Sequence, residues 1–399
     1  MQIVTNVAPL LSPLTGIGHY TEQLLRCLLQ APQIDDLCGV SPLAFYSQAQ
    51  LEKLLSQSIE DGRESNASPS EKKAVLPWRK VAKRVPYARH VKRLIQSHTA
   101  KRQASRFKDH IYWEPNYSLL PLGNPSITTV HDLSHIHYPQ YHPAERVRLL
   151  EHSLAESIEH SARVIAVSEY TKQDISHYFG INASKIDVVS PAVSDSFRSV
   201  YSESDLQLVR KLHGLPERFI LSVATIEPRK NIQGLLQAYS QLPPELRTHV
   251  PLVLVGLKGW LTEEVEKLLR PMVESGQVIR LGYVDQEHLP MIYQAATCLA
   301  YVSFFEGYGM PIAEAMAAGV PVLTSSRSSM PEVAAGSALL VNPEDIDAIS
   351  QGLRQIVEDS ELCHRMSEQG KVASSMYTWQ ASTEKLIAAF HKVHSGVIR

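Results

Sequence analysis

Cysteine is scarce in this chain of 399 residues: there are four, Cys27, Cys38, Cys298 and Cys363, and no two form a Cys-x-x-Cys pair. That spacing excludes a disulfide framework and a zinc ribbon, and the four read as reduced, buried thiols. Long apolar runs are missing as well. No stretch approaches the ~20 residues that span a bilayer, so an integral membrane protein is not expected. Nor is one sign of charge in excess, since 39 Lys and Arg face 41 Asp and Glu for a formal net charge of -2. The amino terminus, Met1-Gln2-Ile3-Val4-Thr5, lacks the basic, apolar and small-residue succession of a signal peptide, which gives an expectation of cytoplasmic residence. No internal repeat of solenoid type is found.

What is present fits a globular protein of more than one core, with 44% hydrophobic and 20% charged residues. At roughly one domain per 150 residues, two are expected. Strand-like apolar runs alternate with helical patterns, the signature of an α/β class with parallel sheets. The first series of strands lies near Gln2–Asn6, His110–Trp113, Ser126–Val130, Val164–Val167 and Ile186–Val189, one Rossmann-like sheet. The second lies near Phe219–Ala224, Pro251–Val255, Val278–Leu281, Thr297–Tyr301 and Val320–Thr324. Between them Ser194–Leu215 reads as polar and irregular, and Gln48–Ser70 as a surface insertion. The expected domains are residues 1–200 and 201–375. Residues 376–399 carry a last helix, about Thr378–His394, that crosses back towards the first.

Four motifs carry the chemistry. Phe305-Glu306-Gly307-Tyr308-Gly309-Met310-Pro311 through Glu314 to Val322 places two carboxylates eight residues apart. Gly307 and Gly309 allow close backbone approach, and Pro311 suits the first turn of a helix that carries Glu314 in that same turn. On residue types alone, both glutamates equally complement a helix dipole. Ala224–Asn231 holds Arg229 and Lys230 at the end of a strand that runs into a helix, an arrangement suited to a pyrophosphate. Adjacent basic residues elsewhere are ordinarily a solvated face. Thr15–Tyr20 contains Gly16 and Gly18, which bring N–H groups onto a phosphate, but Thr21 replaces the third glycine of a dinucleotide fingerprint and disfavours hydride transfer. Finally, Thr129–Pro139 follows a strand and contains His131, Asp132, His135 and His137. Its His-x-x-x-His and His-x-His spacings are not specific for a metal outside a helix, and a sugar-facing role for His131 and Asp132 at the strand end is preferred; no metal is expected.

The glutamate motif resembles the signature of the GT-B fold retaining glycosyltransferases of family 4, E-G-[FY]-G-x-P-x-x-E-A-M-A-x-G-x-P-V. That resemblance implies two Rossmann-like domains whose parallel sheets face a donor cleft. It implies Glu314 on the donor ribose hydroxyls, and Glu306 with the amides of Gly307, Tyr308, Gly309 and Met310 towards the donor sugar. Arg229 and Lys230 are similar to the family's pyrophosphate-binding pair, Gly16 and Gly18 to its glycine loop, and His131-Asp132 to the histidine beside the reacting sugar. The run His131–Pro143 with Arg146 and Arg148 looks like the bacterial O-antigen mannosyltransferases of the family. It implies GDP-mannose or its 6-deoxy relative as donor, a lipid-linked saccharide as acceptor, an α-mannosyl or rhamnosyl product and no cofactor. Gly282-Tyr283-Val284 is a base-facing loop in this reading, and no covalent nucleophile stands out.

Other readings are a UDP- or ADP-sugar donor, a glycogen-type synthase or a sugar phosphorylase on the same scaffold, and a non-catalytic nucleotide-sugar-binding scaffold. The presence of Glu306, Glu314, Arg229, Lys230 and His131 together speaks against the last. Asp345-Ile346-Asp347 fits a metal-holding D-x-D but opens a helix and reads as capping. Thirteen Lys and Arg crowd Lys72–Lys108, interleaved with Trp78, Val81, Val85, Tyr87, Val91, Leu94 and Ile95. They form either a peripheral contact with anionic lipid at the inner membrane face or a surface helix packed on its own domain. No nucleic-acid module accompanies them, and nucleic acid is not an expected partner.

Overall fold

The computed structural model describes residues 1–11, 16–41, 44–64, 107–260 and 262–396, with backbone alone for 57–64. The expected basic segment 72–108 therefore lies, up to residue 106, outside the described residues. The chain divides into two compact units. One comprises Met1–Val130, His152–Ile165 and Thr383–Arg399; the other comprises His131–Glu151 and Ala166–Ser382. The segment that follows the strand ending at Val130 thus belongs with the second unit.

Thirteen strands are described: β1 Gln2–Asn6, β2 Asp36–Val40, β3 Phe45–Tyr46, β4 Ile111–Glu114, β5 Ser126–Val130, β6 Arg163–Ala166, β7 Ile186–Val188, β8 Ile220–Val223, β9 Leu252–Val255, β10 Val278–Gly282, β11 Cys298–Tyr301, β12 Val322–Ser325 and β13 Leu339–Val341. They form a seven-stranded sheet of order β3-β2-β1-β4-β5-β6-β7 and a six-stranded sheet of order β10-β9-β8-β11-β12-β13. In the first, β1 pairs in parallel with β2 and β4, β4 with β5, and the edge strand β3 is antiparallel to β2. The second is parallel throughout. The class is α/β with two Rossmann-like sheets, as expected.

Every residue of β4 and of β9 is buried, and β9, Leu-Val-Leu-Val, accordingly reads as a continuous apolar run rather than an alternating one. Each fully buried aliphatic side chain contributes roughly 1.5–3 kcal/mol. In the second unit Ile220, Leu252, Leu254 and Ala300 from the sheet pack with Leu235, Tyr239, Leu353 and Ile356 from covering helices. In the first, the indole of Trp113 meets the ring of Phe390 edge-on at 6.4 Å, on the last helix, Trp379–His394.

Several sequence expectations are corrected. Within the expected surface insertion Gln48–Ser70, Gln48–Glu64 is a helix with Leu51 and Leu55 buried; residues 65–70 lie outside the described residues. Ser194–Leu215 contains the helix Glu203–His213, which buries Leu206 and Val209. Its ends are defined by a reciprocal Ser202–Asp205 capping box and by Gly214 at φ 62°, so the polar residues that suggested a loop are its caps. Strands β2, β3 and β13 were not anticipated. Cys38 and Cys298 are buried free thiols, but Cys27 and Cys363 are only half-buried. Asp345 does cap a helix, accepting from the Ala348 amide at 2.9 Å. No described helix is long and apolar enough to cross a membrane.

Candidate functional site

The order β10-β9-β8-β11-β12-β13 reverses direction between β8 and β11, and in open parallel sheets ligands bind at the carboxyl ends of the strands beside such a switch. Both strong motifs emerge there. After β8 the chain makes a short 3-10 turn, Pro228–Lys230, and Asn231 adopts φ 54° before the helix Ile232–Ser240. Asn tolerates that left-handed backbone, and its side chain fixes three strands of chain. It accepts from the Gly234 amide and donates to the carbonyls of Val302 and Pro343 at 3.1 and 2.7 Å. The turn therefore presents Arg229 and Lys230 from a rigid base.

After β11 the chain delivers Glu306 to the same place. Arg229 Nη1 donates to Glu306 Oε2 at 2.9 Å and to the Phe305 carbonyl at 2.7 Å, while Nη2 donates to Glu227 Oε1 at 2.9 Å. Lys230 Nζ donates to Glu306 Oε1 at 2.7 Å and to the Tyr301 hydroxyl at 2.8 Å, and Tyr301 itself donates to Glu306 Oε1 at 2.8 Å. Burial works to raise the Glu306 carboxyl, but the charges of Arg229 and Lys230 outweigh it and hold it at about 2. Burial pulls Arg229 down, and Glu306, Asp132 and Glu227 more than reverse this, so the guanidinium is held well above its ordinary value. Lys230 moves the other way, lowered first by burial and then by Arg229 in spite of Glu306. Glu306 is thus a fully engaged carboxylate at neutral pH, not a proton donor.

Gly309 takes φ 108° at the cap position of the helix Met310–Ala317, with Pro311 at its second residue. Glu314 is the fifth residue of that helix, just past the first turn in which the sequence reading placed it, and accepts from the Tyr293 hydroxyl at 2.7 Å. Four hydroxyls fix the glutamate loop, that of Ser328 by accepting from the Glu306 amide at 2.9 Å. Ser168 and Thr171 donate to the Gly307 carbonyl at 2.7 and 3.1 Å, and Ser329 donates to those of Glu306 and Tyr308 at 2.9 and 2.8 Å. Gly307 has no room for a side chain, because a Cβ there would lie 1.7 Å from the His131 carbonyl oxygen and 2.9 Å from Asp132 Cβ. The segment after β5 therefore rests directly on the glutamate loop.

In that segment Asp132 Oδ1 accepts from the amide and hydroxyl of Ser134 at 2.9 and 2.6 Å, a turn that starts the short helix Ser134–His137. Burial would raise its carboxyl, but Arg229 and the Ser134 bonds hold it at about 2. His137 is turned to Asp174, at 2.8 Å. The second-unit site thus brings together His131, Asp132, Arg229, Lys230, Glu306 and Gly307, with Tyr308, Gly309, Met310 and Glu314 on the helix entry. Gly16 and Gly18 are in the first unit, and they do not form a loop: the helix Gly16–Gln30 begins at Gly16 and buries Gly18 in its first turn. Among the described residues, side chains gathered within metal-ligating reach are Asp36, Cys38 and His110 of the first unit, with ligand atoms within 4.8 Å of one another.

Sequence reasoning missed Glu227, Tyr301, Ser168, Thr171 and Tyr293. Glu227 lies inside the Ala224–Asn231 motif, where no role was assigned to it, and Tyr301 lies four residues before Phe305, where any polar side chain at a strand end is a candidate. Ser168, Thr171 and Tyr293 act from distant positions and leave no local signal.

Residues 207–373 match the family model described as glycosyl transferases group 1, and residues 60–197 match that of glycosyltransferase family 4. The O-antigen chain mannosyltransferase B of Escherichia coli is 33% identical over 390 residues, covering 98% of this chain and 99% of that protein. The chain belongs to the group 1, family 4 glycosyltransferases. A shorter likeness, 30% over 59% of this chain and 29% of the relative, links this glycosyltransferase to the serotype-specific mannosyltransferase WbdA of E. coli. Among solved structures, WaaG, a glycosyltransferase involved in lipopolysaccharide biosynthesis, superposes with a TM-score of 0.68 at 14% identity, covering 99% of this chain and 100% of the other. Anabaena HepE, solved with UDP and glucose, gives 0.68 at 18% identity over 98% and 100%. These glycosyltransferases share the two-sheet GT-B fold.

Proposed function

We propose that this glycosyltransferase moves mannose from GDP-mannose to a lipid-linked saccharide with retention of configuration, in the synthesis of an O-antigen-type surface polysaccharide on the cytoplasmic side of the membrane. The observation that carries the reading is the convergence of Arg229 and Lys230 on Glu306 at the switch between β8 and β11. The choice of mannose is supported by the end-to-end likeness to an O-antigen chain mannosyltransferase.

Two cations held by two carboxylates form a balanced set before substrate arrives. A donor pyrophosphate entering beside them meets preformed positive charge together with the amides at the start of Met310–Ala317. Those groups stabilise the charge that develops on the departing nucleoside diphosphate, so the reading requires no metal. The sugar then lies towards Glu306, His131 and the Gly307–Met310 amides, and the ribose towards Glu314. Attack by the acceptor hydroxyl on the face that the diphosphate leaves retains the configuration.

The test is thermal protection by GDP, UDP, ADP and CDP of the wild type and of Arg229→Ala. A ligand at 100 times its Kd stabilises by about 2.7 kcal/mol. Selective protection by GDP that disappears in Arg229→Ala supports the reading. Protection by UDP or ADP alone replaces the donor, and protection by none favours a scaffold.

A further inference from the structure

His142 follows the turn Pro139–Tyr141 and is only 8% exposed, yet neither of its ring nitrogens has a hydrogen-bond partner among the described residues. Its position is fixed. The ring lies 6.3 Å from that of Trp260, and the Trp260 indole N–H donates to the carbonyl of the preceding residue, Tyr141, at 2.7 Å. Tyr141 stacks on Phe304 at 5.7 Å, and the Phe304 amide donates to the Arg229 carbonyl at 2.9 Å. The imidazole is thus pinned beside the cationic site. A second buried orphan is part of that site, since Arg229 Nε likewise has no partner among the described residues.

Folded proteins avoid leaving buried polar atoms unbonded, so orphans of this kind beside a binding site call for a partner that the described residues do not supply. The chemistry of the missing partner follows from the state of the ring. Burial first, with Arg229 and Arg146 adding to it and Asp132 opposing, brings His142 down to about 4. A neutral imidazole has one nitrogen that donates and one that accepts. A phosphate offers only acceptors and leaves one nitrogen unsatisfied. Hydroxyl groups do both.

We infer that His142 is a sugar-recognition residue, its two buried nitrogens completed by saccharide hydroxyls that enter beside Arg229. The inference rests on the glycosyltransferase reading and gives a role to a residue that lies in the run His131–Pro143 but was assigned none there. The saccharide is either the transferred sugar of the donor or the terminal sugar of the acceptor.

Three titrations by calorimetry separate these: GDP, GDP-mannose, and methyl α-mannoside in the presence of GDP, each with wild type, His142→Phe and His142→Gln. Phenylalanine keeps a ring against Trp260 and removes both nitrogens, and glutamine restores one donor and one acceptor. His142→Phe is expected to keep the wild-type Tm and GDP affinity. Loss on the order of tenfold for GDP-mannose identifies the donor sugar, and the same loss for methyl α-mannoside identifies the acceptor sugar; His142→Gln recovers part of either. If His142→Phe binds both saccharides as the wild type does, the inference is wrong. It is also wrong if both variants unfold or lose GDP affinity, because the ring is then a structural element. If a different nucleoside diphosphate binds instead of GDP, the donor assignment fails, and the same titrations with that diphosphate and its sugar decide the role of His142. Wild-type protein that binds no saccharide overturns both.

Discussion

Arg229 bridges two carboxylates, with Nη1 2.9 Å from Glu306 Oε2 and Nη2 2.9 Å from Glu227 Oε1. Because Lys230 shares Glu306, the neutral variant Glu306→Gln leaves two buried cations facing one nearby glutamate. Removing one partner of a buried pair typically costs about 3–5 kcal/mol. The expected outcome is a lower Tm for the free variant, partly restored by inorganic pyrophosphate, and a fall in transfer rate on the order of 10²–10³. A scanning fluorimetry series with and without pyrophosphate, alongside a donor-turnover assay, checks both.

Acid stability should carry the signature of the same carboxylates. Glu306 is held at about 2 against an ordinary 4.5, and Asp132 at about 2 against 3.8. A depressed folded value gives stability that is complete above the unfolded value and lost as pH falls through the window from about 4.5 to about 2. Urea midpoints measured across that window should fall less steeply in Glu306→Gln than in the wild type.

Glu114 in the first unit should behave oppositely. It accepts from the Tyr112 hydroxyl at 2.5 Å, the Asn6 side chain at 2.9 Å and the Asn116 amide at 3.0 Å, and burial raises its carboxyl to about 7 in spite of these bonds. The folded state then holds a proton that the unfolded chain releases near 4.5, so this contribution to stability declines as pH rises from about 4.5 to about 7. Isotope-edited infrared spectroscopy of the carboxyl should show titration near neutrality. A carboxylate already ionised at pH 5 would contradict it.

Glycines at two positions should respond in contrary ways. Gly307→Ala forces a methyl into backbone, since the nearest atom is the His131 carbonyl oxygen at 1.7 Å. Destabilisation of about 3 kcal/mol or more, or no folded protein, is expected. At Gly16 a Cβ meets nothing within 4 Å, and alanine at a compatible backbone position stabilises by roughly 0.4–1 kcal/mol by restricting the unfolded chain. Gly16→Ala should therefore fold at least as well as the wild type. A raised donor KM in that stable variant would support the phosphate role expected of this turn, and unchanged kinetics would remove it.

Glu332 holds the start of the helix Glu169–Phe179 by accepting from the amides of Glu169 and Tyr170, both at 2.9 Å. Two orphan helix amides lose their acceptor in Glu332→Ala, at a cost of about 1–2 kcal/mol. Chemical denaturation should show this loss, and hydrogen exchange should rise first at Glu169 and Tyr170.

Much of the architecture could be read from the sequence because the central strands are apolar on both faces. The runs that became β8, β9 and β11 announce themselves in this way. Strand β2, Asp-Leu-Cys-Gly-Val, did not, because Gly39 weakens the pattern; its lack of a side chain is required by Val7 and Tyr46, which would be 2.8 and 3.1 Å from a Cβ. Strands β3 and β13 are two and three residues long, too short for any period. At the site, Arg229-Lys230 and the paired glutamates stood out as separate motifs. That the two cations are bonded to Glu306 itself was not legible, since local spacing carries no information about partners 76 and 77 residues away. His142 was one member of a histidine-rich run, and only its burial and its unbonded nitrogens distinguish it from His137.

The separation of 77 residues between Arg229 and Glu306 has a consequence for how the protein comes into being. Long-range pairings form late, after the closure entropy of the intervening chain has been overcome. Strands β8, β9 and β10 emerge from the ribosome with both cations already present, and only β11, inserted on the far side of β8, brings the carboxylate that joins them. A nascent or truncated chain that ends before β11 therefore keeps Glu227 beside Arg229 but leaves Lys230 without Tyr301 and Glu306, the two groups it is bonded to, and that cation would be expected to attract polyanions in a way it does not in the finished enzyme.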